Sequence, residues 1–341
     1  MDGKTVNRTI TIVAFWATVL LSLPLVGGFF GRLHPAFDSL AHFRVHLAVL
    51  LLVAALPLLL ARSFRWHGFL AALFGSAAIL TVTGASLLPG AGPVQASHQP
   101  ADPLSPVYRL LHLNLRYDNP EPGKVLSLIG RTRPDVVALN EVSAMWAEKL
   151  ALLSSAYPYR VVCAGDSGAG GVAILSLRPL AEGIEAQCLD GGTLATATVD
   201  FGGTSVDVGA LHLHWPWPFS QSSQIDRRAP MLAAMAETAI LAGDLNATPW
   251  SAASARIAAA SGMAPVGPAG PTWIHHRLPE FLRFAGLPID RIFAKGAVIV
   301  HSVATLEPVG SDHLPVLLEF SLEPADPEAD DPLTTTASLG E

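Results

Sequence analysis

The chain has 341 residues, 50% of them hydrophobic and only 14% charged, with a formal charge of −7 and a mean hydropathy of +0.42. That composition excludes a disordered chain and a coiled coil, and the negative balance excludes a basic nucleic-acid coat protein. The average conceals a split. Residues 1–100 hold eight charged side chains (Asp2, Lys4, Arg8, Arg32, Asp38, Arg44, Arg62, Arg65), net +4, which leaves −11 for the rest.

In chain order, Ile10–Phe30 is a charge-free run of 21 residues. At ~1.5 Å per residue it crosses a hydrocarbon core of ~30 Å. Val45–Ala61 and Phe69–Leu88 give further runs of 17 and 20 residues, interrupted only by His46 and Pro57 in the second. Residues 1–90 are therefore predicted to be a membrane domain with three transmembrane helices. Lys4, Arg8, Arg62 and Arg65 fall on one side of these spans, against Arg32 and Arg44 on the other. The positive-inside rule then predicts a multi-pass protein of the inner (plasma) membrane, N-terminus inside and C-terminal domain extracytoplasmic. Arg44 and His46 are expected to snorkel to the interface.

Residues 91–106, rich in Pro, Gly, Ala and Ser, read as a linker. From Val107 onward short apolar runs alternate with helical stretches: VYRLLHLNL, VLSLIGRT, DVVALNEV, AMWAEKLALL, then GVAILSL, TLATATVDF, SVDVGALHLH, AILAGDL, IDRIFA and LPVLLEF. This pattern predicts one α/β domain over residues 107–322. Residues 323–341 carry six acidic groups without apolar pattern, as a disordered tail would, so the domain itself stands near −5. Cys163 and Cys188 are too few for a disulfide scaffold and are expected to be two unpaired buried thiols, with a pair as the alternative if the domain is extracytoplasmic.

Several strands end in polar residues that an apolar strand has no packing reason to carry: Asn114 after RLLHL, Glu141 after VVALN, and Asp244 and Asn246 in AILAGDLN. Asp312 and His313 stand just before LPVLLEF. Strand ends are where sites assemble in α/β sheets. Carboxylates with amide oxygens make a hard-oxygen site suited to Mg²⁺ and completed by water and a substrate phosphate. No Cys/His cluster has zinc spacing, and neither GxxxxGK[ST] nor GxSxG occurs. Metal-assisted hydrolysis with histidine as acid–base or electrostatic partner is the chemistry that remains.

The motifs NLRYDN, PDVVALNE, GVAILS, LHLH, GDLNATPWS, PTW, PIDRI and GSDHLPV occur in this order over Val107–Leu322. In order and spacing they resemble the endonuclease/exonuclease/phosphatase (DNase I-like) superfamily, and the N-terminal helices resemble a bacterial membrane-anchored subgroup of it. The resemblance implies a two-sheet α/β sandwich, preceded here by about three transmembrane helices. It implies that Asn114 and Glu141 bind a divalent metal, Mg²⁺ or alternatively Mn²⁺, with Asp312 as a further ligand or near it. Asp244 would position or deprotonate the attacking water, Asn246 would hold it, and His313 would contact the scissile phosphate, oriented by Asp290. The family pattern selects His212 over His214 as the middle catalytic histidine. His214 and Arg291 are then candidate substrate contacts, and His112 is read as packing or support behind Asn114. An amide, Asn140, precedes the metal-binding Glu where Gln is usual. Arg178 lies one position beyond the usual arginine after AILS. The Trp215–Phe219 stretch, WPWPF, is either a packed turn or an aromatic loop facing substrate or membrane.

The expected activity is that of a membrane-anchored, metal-dependent hydrolase of phosphoesters, first a phosphodiesterase of endonuclease type. The alternative is a phosphatase or phospholipase-C-like enzyme acting on lipid or sugar phosphates. The expected partners are such a phosphoester (nucleic acid, phospholipid or sugar phosphate) and the lipid bilayer, with no evident protein partner. A catalytically inert membrane scaffold is disfavoured because every expected site residue type is present.

Overall fold

The computed structural model describes residues 3–87, 98–102, 105–166, 168–267 and 270–323. The N-terminal part is helical: α1 (Gly3–Gly27), α2 (Pro35–Ala41), α3 (Arg44–Leu60) and α4 (Arg65–Leu87). Arg8–Phe30 and Arg65–Thr83 are long and apolar enough to cross a membrane, and α2 with α3, bent by 62°, pass the same test as one broken span. The short helix α2 falls inside the loop expected between the first two spans. Arg44 does not snorkel. It is buried, donates to the Gly28 carbonyl at 3.1 Å and the Thr81 hydroxyl at 3.3 Å, and lies 4.2 Å from the Phe29 ring centroid. A buried guanidinium needs such acceptors, and here they come from the segments that follow α1 and from α4.

The C-terminal part is a sandwich of two six-stranded mixed sheets. Its elements are β1 (Tyr108–Asn114), α5 (Pro122–Thr132), β2 (Val136–Val142), α6 (Ala144–Ala151), β3 (Tyr159–Cys163), β4 (Gly171–Ser176), β5 (Gln187–Leu189), β6 (Leu194–Asp200), β7 (Ser205–His212), α7 (Gln221–Ala233), β8 (Ala239–Asp244), α8 (Ala252–Ser261), β9 (Ala264–Pro265), β10 (Asp290–Lys295), β11 (Val298–Thr305) and β12 (Val316–Leu322). One sheet runs β11-β12-β1-β2-β4-β3, the other β5-β6-β7-β8-β10-β9. This is the expected DNase I-like α/β sandwich.

Strand alternation assigns each residue to a layer. Leu110, Val136, Ala138, Val208, Ala210, Ile240, Ala242 and Ile292 meet between the sheets. Leu111, Leu113, Val137 and Leu139 face outward under α5 and α6, whose Val125, Leu128, Ile129, Trp146 and Leu150 recur at helical spacing. Leu211, Leu241 and Phe293 do the same under α7 and α8.

The expectation of unpaired thiols is overturned: Cys163 and Cys188 form a disulfide with Cα atoms 5.4 Å apart. Cys163 closes β3, an edge strand of one sheet, and Cys188 lies on β5, an edge strand of the other. The bond staples the two edges, a proximity that a sequence separation of 25 conceals. The end of the expected linker is also engaged, since Gln99 N–H donates to the Val300 carbonyl on β11 at 2.9 Å. Linker residues 91–97 and 103–104, and the acidic tail beyond 323, lie outside the described residues.

Candidate active site

At one end of the sandwich the inner face changes from apolar to polar. The alternation that buries Leu110, Ala138, Ala210, Ala242 and Ile292 continues into His112 and Asn114, Asn140, His212, Asp244 and Asp290. Asp244 closes β8 and Asp290 opens β10; the two residues are register partners, as are His212 and Asp244 across β7–β8. β12 runs antiparallel to β1, which brings His313, three residues before β12, beside the end of β1.

Backbone irregularities aim two further side chains. The β2–β4 register shifts between Asn140 and Val142, and Glu141 adopts φ +57°, so a residue due to face outward turns toward the site. Asn246 takes φ +47° just beyond β8. Gly243 is required beside them, because a Cβ there would stand 1.9 Å from the Leu211 carbonyl oxygen on β7.

The hydrogen bonds converge on Asp244. Asn114 Nδ2 donates at 3.0 Å to Glu141 Oε1 and at 3.0 Å to Asp244 Oδ2. Asn140 Oδ1 accepts from Asp244 N–H at 2.8 Å, and Asp244 Oδ1 accepts from Asn246 N–H at 2.8 Å. His313 Nε2 and His212 Nε2 stand 3.7 and 3.8 Å from Asp244 Oδ2. Behind them Asp290 holds two imidazoles, with Oδ2 2.8 Å from His313 Nδ1 and Oδ1 3.0 Å from His112 Nε2. Glu141 Oε2 accepts from Tyr117 N–H at 2.9 Å. Asn246 Oδ1 and Asn140 Nδ2 are buried with no hydrogen-bond partner among the described residues.

The titration directions follow from this packing. Burial pushes the Asp244 carboxyl up to about 7, against the pull of His313. Burial opposes charge on His313 too, but Asp290 and Asp244 outweigh it and raise that imidazole to about 10. Burial alone would raise Asp290, yet His313 and His112 hold it well below the usual carboxylate range. Burial and the neighbouring His313 lower His212 to about 3, which keeps it neutral. The site therefore holds an imidazolium beside a carboxylate, with a neutral imidazole opposite.

Not every expected residue joins this group. Asp312 is half-buried and its Oδ2 accepts from the Trp273 indole at 3.2 Å. His214 lies past the end of β7, its Nδ1 2.5 Å from the Ser220 hydroxyl. Arg291 is buried on the opposite face of β10 from Asp290, near the Phe293 ring, and burial depresses it to about 10. That face carries it away from the His313–Asp290 pair. Arg178 donates to Asp135 Oδ1 at 2.9 Å, next to the start of β2 and so at the far end of that strand from Glu141. His112, read only as packing or support, is a direct partner of Asp290. The signal for it was the two-residue spacing from Asn114.

The oxygens of Glu141, Asp244 and Asn114 suit a hard divalent cation, and among the described residues neither carboxylate has a Lys or Arg partner. Amide oxygen and nitrogen exchange by a flip, so Asn114 can present oxygen to the same two carboxylates. Asp244, Asp290 and His313 also offer ligand atoms within 4.8 Å of one another. Asp290 is already occupied by two imidazoles, so the oxygen set around Glu141 is the better cradle.

No curated protein matches the chain by sequence. Among solved structures, TDP2 of D. rerio humanised by 14 mutations superposes with TM-score 0.52 at 20% identity, over 63% of this chain and 99% of that one. An endonuclease/exonuclease/phosphatase from Bacteroides vulgatus gives 0.52 at 18% identity, over 64% and 100%. The human Nocturnin catalytic domain with bound sulfate gives 0.50 at 20% identity, over 64% and 96%. These likenesses are of fold. Residues 111–313 match the model of the Endonuclease/Exonuclease/phosphatase family, and the chain belongs to this family of phosphoester hydrolases.

Proposed function

We propose that the protein is a membrane-anchored, divalent-metal-dependent phosphodiesterase whose centre is Asp244. The observation that carries this reading is the convergence on one buried carboxylate oxygen of Asn114, His212 and His313, with Glu141 on the far side of Asn114. Asn114 and Glu141 would hold Mg²⁺ or Mn²⁺, while the Asp312 carboxylate accepts from the Trp273 indole; when bound, the ion would supply positive charge to the phosphoryl oxygens and neutralise the carboxylates. Asp244 accepts the proton of the attacking water, and the unpartnered Asn246 Oδ1 orients that water. His313 stays protonated through Asp290 and donates to the phosphoryl group as charge develops there. His212, neutral, donates a second hydrogen bond. His214 and Arg291 stand outside this set, so their expected substrate contacts are not part of the reading.

Three crossings are favoured over two by the contacts of the loop between α1 and α3. Asp38 in that loop is bonded to the start of α8, so loop and hydrolase domain share a side of the membrane. Two further crossings, α3 and α4, return the chain to that side, whereas a re-entrant α2–α3 pair would not. The disulfide and the Lys/Arg balance favour the extracytoplasmic side.

The test is steady-state hydrolysis of bis(p-nitrophenyl) phosphate by the full chain in detergent. Asp244→Asn is expected to lower kcat roughly 10²–10⁴-fold with little change in thermal unfolding, and His313→Ala to lower it similarly with a lower unfolding midpoint, because Asp290 loses a buried partner. Full activity in Asp244→Asn would sink the assignment.

A further inference from the structure

The active-site loop is bound to the membrane domain, not merely tethered to it. The first inter-span loop is hydrogen-bonded to residues 244–253, the segment that holds Asp244 and Asn246. Asp38 accepts from Ala252 N–H at 2.6 Å and from Ala253 N–H at 2.9 Å. His42 Nδ1 accepts from Thr248 N–H at 3.3 Å, and the Trp250 indole donates to the Ala41 carbonyl at 2.7 Å. Asp38 and His42 are buried in this junction.

The two segments that flank the mouth are bonded to the same region. The Ser39 hydroxyl donates to the Trp217 carbonyl at 3.0 Å. His46, in the first turn of α3, lies with Nε2 2.6 Å from the Ala285 carbonyl, which ends the helical turn Glu280–Ala285. That turn reaches the site through Arg283, which donates to the Asp312 carbonyl at 3.2 Å. The other segment follows His212 and His214, and its Trp215 ring lies 5.4 Å from Trp273, the partner of Asp312. Both segments expose large apolar groups: Trp215, Trp217 and Phe219 on one, Leu278, Phe281 and Phe284 on the other, with the last two 75% and 78% exposed. Such a patch needs an apolar partner, and aromatic rings settle at the membrane–water interface. The partner is given by position, because the first turn of a membrane-spanning helix lies at that interface.

Charge points the same way. Three cations near the mouth are committed to acids, Arg116 to Asp118, Lys124 to Glu121 and Arg283 to Glu280, which leaves Arg277, exposed beside Leu278, without an acidic partner among the described residues. One such cation among the described residues is not a basic track for the successive phosphates of a nucleic acid, whose binding depends on several such contacts. A cavity of about 240 Å³ lined in part by these pairs and by Ser311 and Asp312 opens beside the site, with room for one polar headgroup.

We propose that the mouth rests on the bilayer surface and that the substrate is a phosphodiester of a lipid headgroup in that bilayer. The inference rests on the phosphodiesterase reading above. In the reaction, water adds to phosphorus and the P–O bond to one alcohol breaks. The proton from water ends on the departing oxygen, and a phosphomonoester and a free alcohol result.

The full chain is reconstituted in vesicles of phosphatidylethanolamine and phosphatidylglycerol. Headgroup or phosphomonoester release is measured beside hydrolysis of bis(p-nitrophenyl) phosphate and of single-stranded DNA. Wild type is expected to cleave the vesicle lipid. Phe281→Ser with Phe284→Ser is expected to lower lipid cleavage roughly tenfold or more relative to the soluble diester. Cleavage of DNA without lipid overturns the inference and leaves the phosphodiesterase reading standing. So does a rim variant that leaves the ratio of the two activities unchanged. Absence of soluble-diester hydrolysis in wild type strikes the phosphodiesterase reading itself.

Discussion

Asp290 divides its two oxygens between His313 and His112, and the charge state of the site depends on it. His313 has a folded pKa of about 10 against 6.5 for the free side chain, so its pairing stabilises the fold fully below about 6.5 and is lost as pH rises through 10. Asp290 is depressed, so its share is present above the free carboxylate value and is lost on acidification. Asp290→Asn is therefore expected to destabilise by ~3–5 kcal/mol at pH 6, with the gap to wild type narrowing above pH 9. Unfolding midpoints measured across that range test this; a gap independent of pH would contradict the pairing. The two middle histidines separate equally clearly. His212→Ala should lower kcat roughly 10²-fold, whereas His214→Ala, which removes only a ring bonded to Ser220, should stay within a few-fold. Equal losses would contradict the assignment. In the sequence, Asn114, Glu141 and Asp244 were legible because each breaks an apolar strand near its end, and His313 because it stands just before one. Arg291, next to Asp290 on β10, lies on the opposite face of the strand, which adjacency in sequence does not reveal.

At the scale of elements, α2 and α8 form a joint that hydropathy could not reveal. PAFDSLA is too short to show a period, and the cap of α8 comes from about 214 residues away. Ser251 caps α8 locally while Asp38 takes the next two N–H groups. Removing a cap of this kind costs about 1 kcal/mol, or more when it is buried. Asp38→Ala should lower the unfolding midpoint of the hydrolase domain by about 2–4 °C per kcal/mol, and Asp38→Asn, which keeps one acceptor, by less. Equal effects of the two variants would contradict a capping role. The strands that were legible are those with strong apolar runs. The edge strands β3, β5, β9 and β11 were not, because exposure on one side dilutes their pattern.

For the whole molecule, the high hydropathy and low charge average an apolar helical part, with two helices long and apolar enough to cross a membrane, and an acidic two-sheet sandwich, as the charge split along the chain suggested. The cysteine pairing was beyond the sequence because it depends on which strands become edges of facing sheets. Loss of a disulfide closing 25 residues destabilises by about 3 kcal/mol in the loop-entropy account. In cells, maleimide labelling of the denatured chain should find no free thiol until a reductant is added; two reactive thiols without reductant would contradict both the pairing and the extracytoplasmic placement. The central claim is that a divalent cation held by Asn114 and Glu141 serves hydrolysis at Asp244. Its most direct test is the Mg²⁺ dependence of bis(p-nitrophenyl) phosphate hydrolysis by the full chain, with EDTA as control and Glu141→Gln as variant. The account predicts activity abolished by EDTA, restored by Mg²⁺, and shifted to roughly tenfold or more higher Mg²⁺ in Glu141→Gln. Activity indifferent to EDTA, or the same Mg²⁺ requirement in Glu141→Gln as in wild type, would contradict it.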